Sequence, residues 1–207
     1  MNDQAECKNF VFDEDAEPAV NKAIASYPQG RQASAVMALL DIAQRQMARQ
    51  TGSAWVPRAA MDTVARRLGM APVRVYEVAT FYLMYNTKPV GKYHLQVCTT
   101  TPCWLQGSDE VVAACKKIAD IEDFGQTSRD GLFTLTEVEC LGACVNAPML
   151  QINDDYYEDL DAARTETMLA ALKSGGALPP AGSSIGRPAS APLSDQTTLL
   201  TPHSPAE

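Results

Sequence analysis

The 207-residue chain is short of positive charge: Lys and Arg number 17 against 25 Asp and Glu, for a net charge of -8 and a pI near 4.8. That is the wrong sign for a surface that tracks phosphates, so nucleic acid is not expected as a partner. Long apolar runs are missing too. No stretch approaches the ~20 residues needed to cross a bilayer. The start, MNDQAECKNF, has neither a basic region nor the apolar run of a signal peptide. We therefore expect no direct membrane insertion and no export, with a bacterial cytoplasm as the default compartment. Histidine is scarce, with only His94 and His203. There is no G-x-G-x-x-G, no Walker loop, and no Ser or Cys nucleophile with a candidate histidine base, which leaves no self-contained catalytic site. Cys-x-x-Cys at a helix start is also absent, which removes a thioredoxin-type dithiol.

What is present falls into three regions. Residues 1–88 carry a helical period. Val36, Leu39, Leu40, Ala43 and Met47 recur at i, i+3, i+4, i+7 and i+11 on one face of a long helix. Met61, Val64, Ala65 and Leu68 form a second pattern and Val75, Val78, Ala79 and Tyr82 a third, with Gly69 and Pro72 as stop and start signals between them. An earlier pattern near Ala19 to Tyr27 makes about four helices in all.

Over residues 89–173 the period changes. KYHLQVC alternates as a strand does, and GSDEVVAACKKIA reads as a helix with Ser108 as a plausible N-cap. LFTLTEVEC and MLQIN read as further strands. Asn153-Asp154-Asp155 turns the chain into a fourth, and Asp161 caps a last helix. The order β-α-β-β-β-α predicts a small open sheet covered by two helices, so the fold class is α+β. Residues 174–207 hold six of the 13 prolines and are expected to be a disordered tail.

The chemistry lies in CTTTPC, Cys98 to Cys103, and CLGAC, Cys140 to Cys144. In a chain without an export signal, clustered thiols point to metal rather than to disulfides. Structural zinc usually takes Cys-x2-Cys knuckles but permits longer spacings, so a zinc-stabilised adaptor remains an alternative. A [2Fe-2S] centre spreads four thiolates around two irons, and the wider x4 and x3 loops suit that span, one pair to each iron. A Rieske centre would need two histidines; His203 lies in the tail, and His94 reads as a strand residue near the site. Cys98 and Cys140 are expected to end strands, with Cys103 and Cys144 in the loops that follow, so all four gather at one end of the sheet. Thr99, Thr100, Thr101 and Leu141-Gly142-Ala143 would let the backbone approach closely and donate N–H groups to sulfur. Cys115 shares a helical face with Val111, Ala114 and Ile118 and reads as a small buried apolar residue. Cys7 is isolated.

The strings CTTTPCWLQGSDEV, TLTEVECLGACVNAPMLQINDDYYEDL, VYEVATFYLMYN and YPQGRQASAVMALLDIAQRQ resemble the small [2Fe-2S] subunit of respiratory NADH:quinone oxidoreductase, complex I, over roughly Phe10 to Lys173. The resemblance implies an N-terminal helical domain followed by a thioredoxin-like ferredoxin domain, with Cys98, Cys103, Cys140 and Cys144 as cluster ligands. It implies a one-electron carrier docked on the flavin- and NADH-binding subunit and other peripheral-arm subunits. FMN and NADH would then lie on that partner, and the whole would be peripheral to the inner membrane. Equivalent subunits of NAD-linked hydrogenases and formate dehydrogenases share similar cysteine spacing and are the alternative. The Pro-rich tail extends beyond the family's usual end.

Overall fold

A computed structural model describes residues 7–192 of the chain. The contacts divide it into two units, Met1–Lys92 and Tyr93–Glu207. Each unit has its own apolar core.

Helices α1 (Glu17–Ala25), α2 (Val36–Thr51), α3 (Arg58–Leu68) and α4 (Pro72–Phe81) make up the first unit, with a 3-10 turn over Gln32–Ala35. Their apolar periods become one core. Val36, Leu39, Leu40, Ala43 and Met47 of α2 are all buried, as are Met61, Val64 and Ala65 of α3 and Val75 and Ala79 of α4. Each fully buried leucine contributes roughly 1.5–3 kcal/mol by removal of apolar surface from water. The helix ends follow the sequence signals: Gly69 ends α3 at φ 64 and Pro72 opens α4. Gln46, although buried, has partners on both sides of its amide, taking a bond from the Asp13 N–H at 3.1 Å and donating to the Val11 carbonyl at 2.8 Å.

The second unit is an α+β fold. Its sheet runs in the order β2 (Gln126–Thr127), β3 (Phe133–Val138), β1 (Tyr93–Cys98), β4 (Leu150–Ile152), β5 (Asp155–Glu158), β6 (Gly182–Ser183). The central pair β1 and β3 is parallel, with Leu95 opposite Leu135, and β1 and β4 are antiparallel. A parallel pair needs a crossover, and α5 (Thr101–Leu105) with α6 (Ser108–Ala119) supplies it. Leu95, Val97, Phe133, Leu135, Leu150 and Ile152 pack with Val111 and Cys115 of α6 and with Leu169 and Leu172 of α7 (Ala162–Lys173). The Asp161 side chain caps α7 by accepting the Arg164 N–H at 2.7 Å.

Four expectations need correction. Ser108 is the first residue of α6 rather than its cap; Gly107, at φ 98, precedes it, a conformation that suits glycine. Cys103 lies within the short helix α5 and not in a loop. Strand β3 stops at Val138, two residues before Cys140. The tail expected from residue 174 is structured as far as 192: β6 adds to the sheet beside β5, and Arg187 forms an ion pair with Asp159. Strand pairing and polar contacts, with Leu178 packed against the core, hold this segment, and composition does not register the pairing or the polar contacts. Residues 193–207 lie outside the described part.

Candidate metal centre

Parallel pairing of β1 with β3 brings the ends of both strands to the same edge of the sheet, with Cys98 opposite Val138. Cys98 is the last residue of β1. Helix α5 then starts at Thr101, with Pro102 in its first turn, and carries Cys103. On the β3 side the chain runs past Glu139 to Cys140, loops through Gly142 at φ 87, and forms a single 3-10 turn over Cys144–Asn146. Left-handed backbone at position 142 favours glycine. All six cysteines are unbridged.

The structure places the four expected thiols as two pairs near one end of the sheet. Cys98 and Cys103 are buried with Met149, and Leu141, Ala143, Ala147 and Tyr156 pack against them. Cys140 and Cys144 are exposed, with their sulfurs 3.4 Å apart. Cys98 Sγ lies 3.3 Å from the Thr100 hydroxyl. Thr99 takes no such part, since its hydroxyl donates to Glu137 at 2.7 Å. Tyr156 fixes the other loop, its phenol donating to the Leu141 carbonyl at 2.9 Å.

The thiols differ within each pair. Burial works against ionising Cys98, but the Thr100 hydroxyl, the backbone N–H groups of Leu141 and Thr100, and Cys103 together hold its pKa below the usual thiol value. Burial first, and then the bond and charge of Cys98, push Cys103 up to about 12. In the second pair the Gly142 N–H and then Cys144 lower Cys140, whereas the bond to Cys140 is the main cause that raises Cys144. Each pair loses its first proton readily and its second reluctantly, as coupled sites do. A bound cation reverses that reluctance by stabilising both thiolates.

A [2Fe-2S] group fits this donor set. Four sulfurs arranged as two pairs match two irons, and neighbouring backbone at Leu141, Thr100, Gly142 and Met149 favours the thiolate forms. Among the described residues, no three His, Cys, Asp or Glu side chains stand close enough together to hold a metal ion as they are placed. His94 is buried, bonded to Thr136 Oγ1 at 2.9 Å, and held down to about pKa 4 by burial, so it is a structural strand residue. Cys115 is buried in the α6 face and Cys7 only donates to the Asn9 carbonyl.

Sequence reasoning did not single out Asn146, Asp159 and Arg187. Asn146 ends the Cys144 turn, its carbonyl accepts the Asp159 N–H, and Arg187 bonds both to Asp159 and to the Val145 carbonyl of the turn. One signal was available: Arg187 is the only charged residue between Lys173 and Asp195.

The family of thioredoxin-like [2Fe-2S] ferredoxins matches residues 20–173. An NADH-quinone oxidoreductase subunit of Rickettsia typhi is 49% identical over 169 residues, covering 82% of this chain and 96% of that protein. The mitochondrial NADH dehydrogenase [ubiquinone] flavoprotein 2 of Dictyostelium discoideum is 45% identical over 200 residues, 97% of this chain and 78% of that one. Among solved structures, an NAD+-reducing [NiFe]-hydrogenase in the air-oxidised state aligns with a TM-score of 0.56 at 19% identity. That alignment covers 68% of this chain and 23% of the hydrogenase chain, a likeness of fold.

Proposed function

The chain belongs to the family of thioredoxin-like [2Fe-2S] ferredoxins, and from this we propose that it is the one-electron carrier subunit of the NADH-oxidising module of NADH:quinone oxidoreductase. The observation that supports the reading is the placement of the pairs Cys98 with Cys103 and Cys140 with Cys144 near one end of the sheet, in a chain about half identical to a known component of that complex. We assign those four thiols as the ligands. When bound, the cluster takes up and gives back single electrons. The chain's own groups do the rest. The N–H donors of Thr100, Leu141 and Gly142 offset negative charge on sulfur, and burial of Cys98 and Cys103 keeps water from that side.

The exposed Cys140 and Cys144 leave the opposite side open to a redox partner. That partner is a flavin- and NADH-binding subunit, and other peripheral-arm subunits complete the assembly. Among the described residues no helix is long and apolar enough to cross a membrane. The place we assign to the chain is in a peripheral arm, on the cytoplasmic side of the inner membrane.

The test is to isolate the tagged chain anaerobically from its own cells. Two irons and two acid-labile sulfides per chain are expected, EPR-silent when oxidised and paramagnetic after one-electron reduction. A flavoprotein that reduces the cluster with NADH should co-purify. Stoichiometric zinc without sulfide would overturn the assignment of the centre. A cluster-bearing chain with no flavoprotein partner would overturn the place in the complex.

A further inference from the structure

We propose that Arg187 is a positioning residue for the iron-sulfur site, locking the Cys144 turn to the sheet through Asp159. The inference rests on the reading of Cys144 as a ligand. A single 3-10 turn such as Cys144–Asn146 has poor hydrogen-bond geometry and little intrinsic persistence. Nor does packing anchor its start, because Cys144 is exposed and Val145 is 62% exposed.

The turn is held instead by its carbonyls. Arg187 Nη1 donates to the Val145 carbonyl at 3.1 Å, and the backbone N–H of Asp159 donates to the Asn146 carbonyl at 2.7 Å. Both residues after Cys144 are thereby fixed. Arg187 Nη2 spans to Asp159 Oδ1 at 2.9 Å, and Ser183 donates to the other carboxylate oxygen at 2.6 Å. Asn146 closes the ring, its amide donating to Glu158 at 2.5 Å and to the Ala189 carbonyl at 2.8 Å. The C-terminal segment therefore grips the Cys144 turn from one side as Tyr156 grips Leu141 from the other.

The ion pair is also almost fully dry, with side-chain exposures of 7% and 6%. Stripping water from two charges offsets most of their attraction, so such a pair is a poor way to add stability and a good way to fix geometry. The forked guanidinium alone can reach a carbonyl and a carboxylate at once; a lysine is a single point of charge and cannot do both in the same way. No other charged side chain occurs between Lys173 and Asp195.

The experiment compares Arg187→Ala, Arg187→Lys and Asp159→Asn in full-length, cluster-loaded protein, with Leu172→Ala as a control in the buried core between α7 and the sheet. The reduced EPR spectrum, the rate of iron release to a chelator and the melting temperature are measured. Loss of groups that orient metal ligands typically weakens metal retention by roughly 10- to 100-fold. We expect Arg187→Ala and Arg187→Lys to alter the g values and to speed iron release by about tenfold. Leu172→Ala should lower the melting temperature and leave both unchanged. Parent spectra and release rates in both Arg187 variants would overturn the proposal. So would the same spectral change in Leu172→Ala at an equal loss of melting temperature. If Arg187→Ala does not fold, Arg187→Lys and Asp159→Asn decide by the same measures. Cys144→Ala separates the two claims. A parent spectrum there would sink the ligand reading, whereas a lost spectrum beside an unaltered Arg187→Ala would sink this inference alone.

Discussion

The two cysteine pairs share one chemistry in opposite settings. Cys98 and Cys103, each 1% exposed, sit on regular elements, the end of β1 and the helix α5, and pack on Met149. Cys140 and Cys144 stand exposed on a loop, held by a phenol at Leu141 and by the C-terminal segment at Val145 and Asn146. One half of the site is thus part of the fold, and the other is tied to it by polar contacts. A centre built this way can keep water from one face and offer the other to a partner.

Serine substitutions are the strongest test of that contrast. Replacing any of Cys98, Cys103, Cys140 or Cys144 swaps a thiolate for a harder, poorly ionised oxygen, and each should abolish or severely weaken the visible absorbance of the cluster. The metal-free proteins should differ. Cys98→Ser and Cys103→Ser alter buried sites and should cost about 1–3 kcal/mol, by the usual penalty for an imperfectly paired buried hydroxyl. Cys140→Ser and Cys144→Ser should stay within about 0.5 kcal/mol, as surface substitutions do. Denaturant melts of the four apo variants check this, and equal destabilisation across both pairs would erase the distinction.

A smaller effect separates the two faces of the sheet. His94 leaves the α6 and α7 core to Leu95 and Val97 and lies buried on the other side, with its pKa lowered to about 4 by burial. The unfolded chain binds a proton there near pH 6.5, so it takes up protons before the folded state does as pH falls. Stability contributed by neutral His94 is therefore complete above about pH 6.5 and is lost progressively down to about pH 4. The loss approaches about 3 kcal/mol at ~1.4 kcal/mol per pH unit. Urea melts of apo protein at pH 7, 5.5 and 4.5 should show this slope, and His94→Asn should flatten it relative to the parent. Parallel profiles in the two proteins would mean that His94 titrates normally.

Much of this was legible in the sequence, and the exceptions share a cause. The α2 face from Val36 to Met47 and the alternation of Tyr93 to Cys98 are long enough for periodicity to declare them. The cysteines were legible because their spacing is itself the signal. Helix α5 and the two-residue strands β2 and β6 were not, since elements this short are defined by the chain they pair with. Residues 177–192 misled for a related reason. Their composition says that little apolar area can be buried, yet Ser183, Ser184 and Arg187 fasten them to Asp159 by hydrogen bonds. Ser108 illustrates the limit of residue-type rules. It has the right side chain for a cap, but Gly107 provides the turn, and the Ser108 hydroxyl is buried without a partner.

The smallest predicted effect on the cluster concerns the cysteine that looks like a ligand only by its element. Cys115 is fully buried in the α6 face beside Val111 and Ala119, and burial raises its thiol pKa to about 12. A neutral thiol of that kind is a small apolar side chain, not a ligand. Cys115→Ala removes one buried sulfur and should cost roughly 1 kcal/mol, at the low end of core truncations because little volume is lost. The melting temperature should fall by a few degrees while iron content and the reduced EPR spectrum stay at parent values. Ligand exchange is the complication for the four exchangeable thiols, since a nearby sulfur can replace a lost one. Cys115, packed between α6 and the sheet, should not be recruited. The contrast is therefore read in both directions: Cys115→Ala with lost iron, beside Cys144→Ala with the parent spectrum, would move the fourth ligand into the helix and dissolve the two-pair description of the site.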